Sequence, residues 1–310
     1  MNNYEFLRKG IQQGLLSFPI TDFDGSLNFD PNGYKDRIKW FLEHDISAIF
    51  VAGGTGEFFS LSLDDYRQIT HIAGETNQGK KPLIAGTGKS IAEAIEMAQI
   101  AEDNGVNGLL LMPPYLTECP PNGLMKYAQT ILNNTKLPVI YYNRANGVLG
   151  VDQIQELAYL CPNLVGIKDG TGNLQQLNEI IQLTRGRLEF IGGVPTAEII
   201  AQAYMAIGVS TYSSAVFNFV PQLALRFYEA IRSQDNTVVQ KLLKHFFIPF
   251  IALRKRKIGY GVSLIKSGAK IAQRPGGNTR FPLEMPTADE ENSLRQIITS
   301  VNEILNLIDS

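Results

Sequence analysis

Cysteine is scarce in this chain, with only Cys119 and Cys161 among 310 residues. Two cysteines cannot form a multi-disulfide framework, and their spacing matches no zinc-binding motif. An excess of basic residues is also lacking, because 28 Lys and Arg face 30 Asp and Glu for a net charge of −2. This balance excludes the positive field that a nucleic-acid partner or a polybasic membrane anchor requires.

Long hydrophobic runs are lacking as well. No stretch approaches the ~18 consecutive apolar residues of a membrane span, and residues 1–9 have no apolar segment of the kind found in signal peptides. Hydrophobic residues still make up 44% of the chain, which suits a large core and excludes intrinsic disorder. We therefore expect a soluble, cytoplasmic protein without a membrane partner.

Short apolar runs recur along the chain, and each is followed by turn residues and a stretch of helical periodicity. Such runs are typical of strands buried on both faces of a parallel sheet covered by helices. Eight of them begin at Leu15, Ala48, Leu83, Leu109, Val139, Leu164, Leu188 and Val209. Eight alternations predict a (β/α)8 TIM barrel. A doubly wound open sheet is the alternative, but the even number of strands favours closure.

The segments between the runs carry helix-start signals. Residues 90–93 (Ser-Ile-Ala-Glu) form a full capping box, and residues 62–65 carry Asp where such a box has Glu. Residues 195–198 also predict the start of a helix. After residue 235 the alternation ends, and helical patterns cover residues 238–250, 262–271 and 288–308. We therefore predict a barrel over 1–235 and a C-terminal helical extension, packed on it, over 236–310.

Two glycine-rich stretches look like nucleotide-binding loops but fail on spacing. Residues 86–90 end like a P-loop, yet its first glycine would fall at Leu83. Residues 54–56 begin like a dinucleotide fingerprint whose third glycine would fall at Phe59. The run 53–57 (Gly-Gly-Thr-Gly-Glu) can instead form an anion-binding nest of backbone N–H groups. Its glycines can equally serve only a tight turn, and spacing does not decide between the two.

Lys168 ends a predicted strand, and in a TIM barrel the functional residues lie at such strand ends. Side chains alternate along a strand, so Lys168 shares a face with Leu164 and Gly166. If that face points into the barrel, burial lowers the lysine pKa and makes the amine a nucleophile for ketones. Alternatively, Lys168 is an exposed strand-end residue paired with Asp169.

Tyr142 ends the strand before that of Lys168 in the sequence. Neighbouring strand ends can therefore bring its phenol to the amine, where it can shuttle protons as an imine forms. Alternatively, Tyr142 is an aromatic plug of the barrel. The three histidines, His44, His71 and His245, are scattered along the sequence, so we expect no metal site.

The order and spacing of residues 53–57, 142–143 and 166–169 resemble the dihydrodipicolinate synthase / N-acetylneuraminate lyase superfamily over essentially the whole chain. The resemblance implies a Schiff-base enzyme on a (β/α)8 barrel with a helical C-terminal extension. It implies that Lys168 forms the imine with a 2-keto acid, that Tyr142 relays protons, and that Gly54 and Thr55 hold the keto acid's carboxylate. Gly54 stands where the synthase and the lyase have Thr or Ser, so one relay hydroxyl is missing.

Residues 14–19, 53–59, 212–219 and 256–260 are similar to a narrower branch, 5-dehydro-4-deoxyglucarate dehydratase. The resemblance implies conversion of a keto sugar diacid, 5-dehydro-4-deoxy-D-glucarate, to 2,5-dioxopentanoate with loss of water and CO2, without metal or organic cofactor. It also implies a homo-oligomer, tetramer or dimer, with Tyr115 near a neighbouring subunit's site. As substrate-binding residues we predict, besides Gly54, the strand-end group Asn143, Arg144, Gly193, Ser213, Ser214 and Asn218. Arg144 and the last three of these are assigned to the distal end of the substrate.

Two other functions remain open from the sequence. The first is another Schiff-base aldolase or synthase of the same superfamily, acting on pyruvate or a 2-keto-3-deoxy sugar acid. The second is a non-catalytic barrel that senses a sugar acid. Lys168 and Tyr142 together argue against the sensor, because it needs neither an amine nor a phenol at its strand ends.

Overall fold

Eight parallel strands close into one barrel, in which each strand pairs with the next along the chain and the last pairs with the first. The computed structural model describes residues 3–114 and 118–309. The strands are β1 (Leu16–Ser17), β2 (Ala48–Val51), β3 (Leu83–Thr87), β4 (Gly108–Leu111), β5 (Val139–Asn143), β6 (Leu164–Asp169), β7 (Glu189–Gly192) and β8 (Thr211–Ser214). The closed barrel confirms the predicted fold and excludes the open sheet.

Helices follow every strand and form the outer layer. They are α1 (Asn3–Gln12), which precedes the barrel, then α2 (Pro31–Leu42), α3 (Leu63–Asn77), α4 (Ile91–Asp103), α5 (Pro121–Leu132), α6 (Val151–Leu160), α7 (Leu174–Leu183), α8 (Ala201–Ala206) and α9 (Pro221–Arg232). Both predicted capping boxes form, at Ser62 and Ser90. No helix of the described segments is long and apolar enough to cross a membrane.

Seven of the eight strands begin within one residue of the predicted position, but two elements of the barrel begin two residues later than expected. The eighth strand begins at Thr211 rather than Val209, because the Val209 amide donates to the Tyr204 carbonyl at the end of α8 and is not free for the sheet. The helix expected from residue 195 is a 3-10 turn over Ala197–Ile200 before α8. Thr196 has a left-handed backbone, with φ of 56°, which prevents a regular helix from starting there.

Helix α1 closes the end of the barrel at which the strands begin. Leu7 and Ile11 of this helix are fully buried. They lie where Gly108 of β4 and Gly166 of β6 carry no side chain: a Cβ on Gly108 would sit 2.6 Å from Leu7 Cδ2, and one on Gly166 would sit 3.6 Å from Ile11 Cδ1. The opposite end of the barrel is therefore the one available for a site.

The C-terminal extension is helical, as predicted. It comprises α10 (Asn236–Leu242), a π-helical turn over Leu243–Phe247, α11 (Ile248–Arg254), α12 (Tyr260–Ile271), α13 (Ala288–Thr299) and α14 (Val301–Asp309). The single helix expected over 288–308 is divided at Ser300, whose hydroxyl donates to the Ile297 carbonyl at 2.9 Å. A side chain that bonds to the preceding turn in this way competes with the helical pattern.

Buried ion pairs attach the extension to the barrel. Lys266 of α12 contacts Glu57, which follows β2, at 2.8 Å, and both side chains are inaccessible to solvent. Arg37 of α2 is paired with Asp22 at 2.7 Å and also donates to the carbonyls of Arg274 and Pro275. Since a buried charge is costly unless it is paired, these contacts fix the extension in one position on the barrel.

Removing Lys266 leaves the Glu57 carboxylate buried without its counter-ion. We expect Lys266→Met to lower the free energy of unfolding by about 3–5 kcal/mol, as measured by urea denaturation. Lys270→Met is the control, because Lys270 pairs with Glu291 at the surface, where its own side chain is 61% exposed, and such a pair contributes less than about 1 kcal/mol. Equal effects of the two substitutions would contradict the account.

Candidate active site

A cleft of about 630 Å³ opens at the carboxyl ends of the strands, a volume typical of small-molecule sites. Its floor and walls come from the barrel and include Phe18, Thr55 and Lys168. Its roof comes from the extension, through Phe250 and Arg254 of α11 and further residues of α12. The cleft is therefore formed by both parts of the chain.

Lys168 points from β6 into the barrel and is only 3% exposed. Strand register explains its neighbour, because Tyr142 of β5 lies directly beside it in the ladder and both side chains project from the same face. The Lys168 Nζ lies 3.9 Å from the centroid of the Tyr142 ring and 5.3 Å from that of Phe18. The strand ladder thus brings amine and phenol together.

Asp169 faces the opposite side of β6 from Lys168. Its carboxylate accepts hydrogen bonds from the amide and hydroxyl of Thr171, from the amide of Gly172 and from the hydroxyl of Tyr204 at 2.7 Å. The carboxylate is therefore occupied by the loop after β6 and by α8. This arrangement excludes the alternative in which Lys168 is an exposed partner of Asp169.

Gly193, directly after β7, holds both functional groups. Its carbonyl accepts a hydrogen bond from the Lys168 Nζ at 3.1 Å and another from the Tyr142 hydroxyl at 2.8 Å. A Cβ at this position would clash with the Lys168 Nζ and would lie 2.7 Å from the Asp169 carbonyl oxygen. The lysine can occupy its place only because residue 193 has no side chain.

Burial and charge shift the pKa values of both groups. Burial lowers the pKa of Lys168 from its ordinary 10.5, since it disfavours the ammonium form. For Tyr142, burial acts to raise the pKa, but the positive charges of Lys168 and Arg144 outweigh it and hold the pKa below the ordinary 10. Burial lowers the pKa of Lys168 even though Tyr142 acts to raise it. Since the amine and the phenol both lose a proton more easily than they do in water, the pair is suited to passing protons.

Arg144 reinforces this effect on Tyr142. Its Nη1 donates to the Tyr142 hydroxyl at 3.0 Å, and its guanidinium carbon lies 5.7 Å from the centroid of the same ring. Gly170 makes room for the contact, because a Cβ there would lie 2.6 Å from Arg144 Cβ and 2.8 Å from the Tyr142 ring. The guanidinium therefore stabilises the ionised phenol.

The charge of the cleft is one-sided. Among the described residues, those that line it include Lys168, Arg144, Arg254 and Lys257 but no Asp or Glu. Lys257 is paired with Glu284, which lies outside the lining. Such an electrostatic environment attracts an anion and suits one with more than one negative charge.

A model of the dihydrodipicolinate synthetase family matches residues 12–301. The chain belongs to this family. It is 47% identical over 298 residues to a Rhizobium rhizogenes protein named a probable 5-dehydro-4-deoxyglucarate dehydratase, with 96% of this chain and 98% of the relative covered. An Acinetobacter baumannii protein of the same name is 45% identical over 94% of this chain and 97% of its own length.

Solved structures of the family share the fold. Dihydrodipicolinate synthase from Oceanobacillus iheyensis superposes with a TM-score of 0.88 at 26% identity, covering 97% of this chain and all of that one. The synthase from Bacillus clausii gives 0.87 at 25% identity, covering 96% and 99%. These similarities confirm the superfamily and the branch that the sequence motifs resemble.

Most of the predicted site residues line the cleft of this protein. These are Lys168, Tyr142, Gly54, Thr55, Arg144, Gly193 and Ser213. Gly54 has open space on the side where a Cβ would point, so none of the described residues blocks a ligand from approaching its backbone there. Tyr115, predicted to lie near a neighbouring subunit, is outside the described residues.

Three predicted substrate contacts need correction, because the structure places them behind the cleft wall. Asn143 bonds through its amide to the backbone of Leu149, at 2.7 and 3.4 Å. Ser214 faces outward from β8 and donates to Glu198 at 2.6 Å. Asn218 is fully buried and bonds to the amide of Ile20 and, at 2.9 Å, to the carbonyl of Phe18. Each stabilises a loop and does not line the cleft.

Sequence reasoning missed the residues that the extension and the loop after β7 supply. The described lining includes Thr196, Phe250 and Arg254 in addition to the predicted residues. Phe250 and Arg254 lie one helical turn apart on α11, a spacing that puts them on one face. That spacing was the only signal available, since nothing in the sequence places α11 over the barrel mouth.

Among the described residues, no group of three or more His, Cys, Asp or Glu side chains could hold a metal ion.

If Arg144 stabilises the ionised phenol of Tyr142, replacing it with a neutral residue raises the pKa of that phenol. We expect Arg144→Gln to raise it measurably, because the variant lacks the cation that acts to lower it. Ultraviolet difference titration against Tyr142→Phe isolates this one tyrosine. Lys257→Gln is the control, because it removes a cation of the same cleft that is already paired with Glu284. An unchanged Tyr142 pKa in Arg144→Gln, or an equal rise in the control, would contradict this role.

Proposed function

We propose that the protein is a decarboxylating dehydratase that converts 5-dehydro-4-deoxy-D-glucarate to 2,5-dioxopentanoate, CO2 and water through a Schiff base on Lys168. The observation that carries the proposal is a buried lysine beside a phenol, in a cleft with several cations and no described carboxylate in its lining. The relatives named probable 5-dehydro-4-deoxyglucarate dehydratase support the choice of substrate.

Imine formation comes first. The neutral Lys168 amine attacks the ketone carbon next to the substrate's proximal carboxylate, and the Tyr142 hydroxyl passes protons between nitrogen and the departing oxygen. The ketone oxygen leaves as water and a cationic imine remains. The Gly193 carbonyl, which bonds to both groups, keeps amine and phenol in place.

Elimination follows from the cationic imine, which acidifies the adjacent CH2. Loss of a proton there and departure of the β-hydroxyl as water leave an alkene conjugated with the imine. The bond to the distal carboxylate then breaks, its electron pair moves through the conjugated system to the imine nitrogen, and CO2 is released. Protonation, tautomerisation and hydrolysis return the free amine and the aldehyde product. The lysine is the electron sink for both steps, so we propose no other cofactor.

The proximal carboxylate fits the loop after β2. Gly54 offers an open approach to its backbone and Thr55 lines the cleft beside it, so we assign both to that carboxylate. Ser213, the lining serine of β8, is assigned to a substrate hydroxyl. A homo-oligomer and a cytoplasmic location stay predictions.

A pyruvate aldolase or synthase is the second candidate, because it would use the same Lys168 imine. Pyruvate has one carboxylate, however, and leaves Arg254 without an anionic partner in the cleft. A non-catalytic sensor needs neither the buried amine nor the phenol beside it. The dianionic keto acid therefore fits the cleft better than either alternative.

Borohydride reduction in the presence of the keto acid tests the central step. We expect irreversible loss of activity and a substrate-derived mass on the peptide that contains Lys168. Lys266, equally buried but paired with Glu57, is the internal control and should remain unlabelled. The Lys168→Arg variant, which retains a cation but cannot form the imine, should neither label nor turn over.

Parallel assays of CO2 and pyruvate distinguish the candidate reactions. We expect stoichiometric CO2 from 5-dehydro-4-deoxyglucarate and no pyruvate. Pyruvate release would support the aldolase, and label away from Lys168 or turnover by Lys168→Arg would overturn the proposed mechanism. Binding without labelling or turnover would support the sensor.

A further inference from the structure

The distal carboxylate of a keto diacid needs its own partner in the cleft. Arg144, assigned to it from the sequence, donates instead to the Tyr142 hydroxyl. Of the three other polar residues assigned to that end, Ser214 and Asn218 are bonded behind the wall, and Ser213 lines the cleft but carries no charge. The residues predicted for the distal site are therefore largely engaged in other contacts. A different cation of the cleft is needed to bind the distal carboxylate.

Arg254 is available for this role. It is the last residue of α11 and lines the cleft from the side of the extension. Its Nη1 donates to the hydroxyl of Thr196. Within residues 3–114 and 118–309, no carboxylate oxygen forms an ion pair with its guanidinium, in contrast to the paired Lys257. Arg254 thus brings an unpaired positive charge to the cleft.

Thr196 holds Arg254 in a defined position. Its backbone is in the left-handed region, with φ of 56°, which is a strained conformation for a β-branched residue. Its side chain is only 9% exposed and lines the cleft. The hydroxyl therefore fixes Nη1 of the guanidinium, and the other terminal nitrogen, Nη2, can donate to a ligand.

Glu198 lies two residues further and is close enough for Arg254 to influence it, but it does not neutralise the arginine. It is buried, and its Oε1 accepts from the Ser214 hydroxyl at 2.6 Å. Burial raises the pKa of Glu198 to about 7, although the charge of Arg254 acts to lower it. A carboxyl with a pKa of about 7 is only about half ionised at neutral pH, so it provides only part of a negative charge to its surroundings.

We propose that Arg254, positioned by Thr196, binds the distal carboxylate and makes the site selective for dicarboxylic 2-keto acids. Lys168 and Arg254 line the same cleft, one from the barrel and one from the extension. A substrate whose ketone reacts with Lys168 can therefore extend its distal carboxylate to Arg254. This inference rests on the proposed function, because it names how that site recognises its substrate.

Substrate analogues separate this binding role from the chemistry. 2-Oxoadipate has the carbon chain and both carboxylates of the proposed substrate but no hydroxyl to eliminate, whereas 2-oxohexanoate also lacks the distal carboxylate. Both can form an imine with Lys168, and borohydride trapping followed by mass spectrometry measures the concentration at which half of the protein is labelled. We expect the wild-type protein to prefer 2-oxoadipate by at least about tenfold, as for a charge-assisted hydrogen bond.

Four variants test where the preference originates. In Arg254→Gln the preference should disappear: the two analogues should half-label the protein at about the same concentration, while 2-oxohexanoate is trapped as in the wild-type protein. Arg254→Lys should retain part of the preference. Lys257→Gln, which removes a paired cation of the same cleft, should leave the preference intact. Arg144→Gln should slow the trapping of both analogues equally, because it acts on Tyr142.

An intact preference in Arg254→Gln, or its loss in Lys257→Gln to the same extent, would overturn the proposal. So would a wild-type protein that does not prefer the dicarboxylate or traps neither analogue. Failure of the proposed function gives a different result: the wild-type protein releases no CO2 from the sugar diacid, while the preference for 2-oxoadipate still disappears in Arg254→Gln.

Discussion

The environment of one amine determines the rest of this site. Lys168 projects from β6 into a barrel whose opposite end is closed by α1, and its Nζ lies over the Tyr142 ring and donates to the Gly193 carbonyl. Burial there lowers its pKa, and the adjacent Asp169 is bound to other partners on the far side of the strand. The amine is thereby kept beside a phenol and a backbone carbonyl and away from a carboxylate that would hold it as an ion pair.

Strand register and absent side chains build this environment. Parallel pairing of β5 with β6 places Tyr142 beside Lys168. Gly193 and Gly170 leave the space that the lysine and Arg144 occupy. The extension completes the cleft, and the Glu57–Lys266 and Asp22–Arg37 pairs hold it in place. Folding of the extension onto the barrel is therefore a condition for a complete site, although its residues lie far in sequence from Lys168.

The sequence predicted the features that depend on local pattern. The eight apolar runs and the turn residues after them predicted the closed barrel. Alternation along β6 predicted that Lys168 shares a face with Leu164 and Gly166, but not whether that face points into the barrel. Side-chain partners across long sequence distances were harder, since an amide such as Asn218 can equally contact a ligand or a distant backbone, and only the folded chain shows that it bonds to Phe18 and Ile20. Arg254 was missed for the same reason, because no local pattern indicates which face of α11 covers the cleft.

The most direct test of the account is the pKa of Lys168 itself. An amine-selective reagent labels only the neutral form, so the pH dependence of its labelling rate, read by mass spectrometry of the Lys168 peptide, gives this value. The account predicts a midpoint clearly below the ordinary 10.5, with the exposed lysines of the same digest as internal standards. A midpoint at or above 10.5 would show that the amine is held as an ammonium ion and would contradict the account.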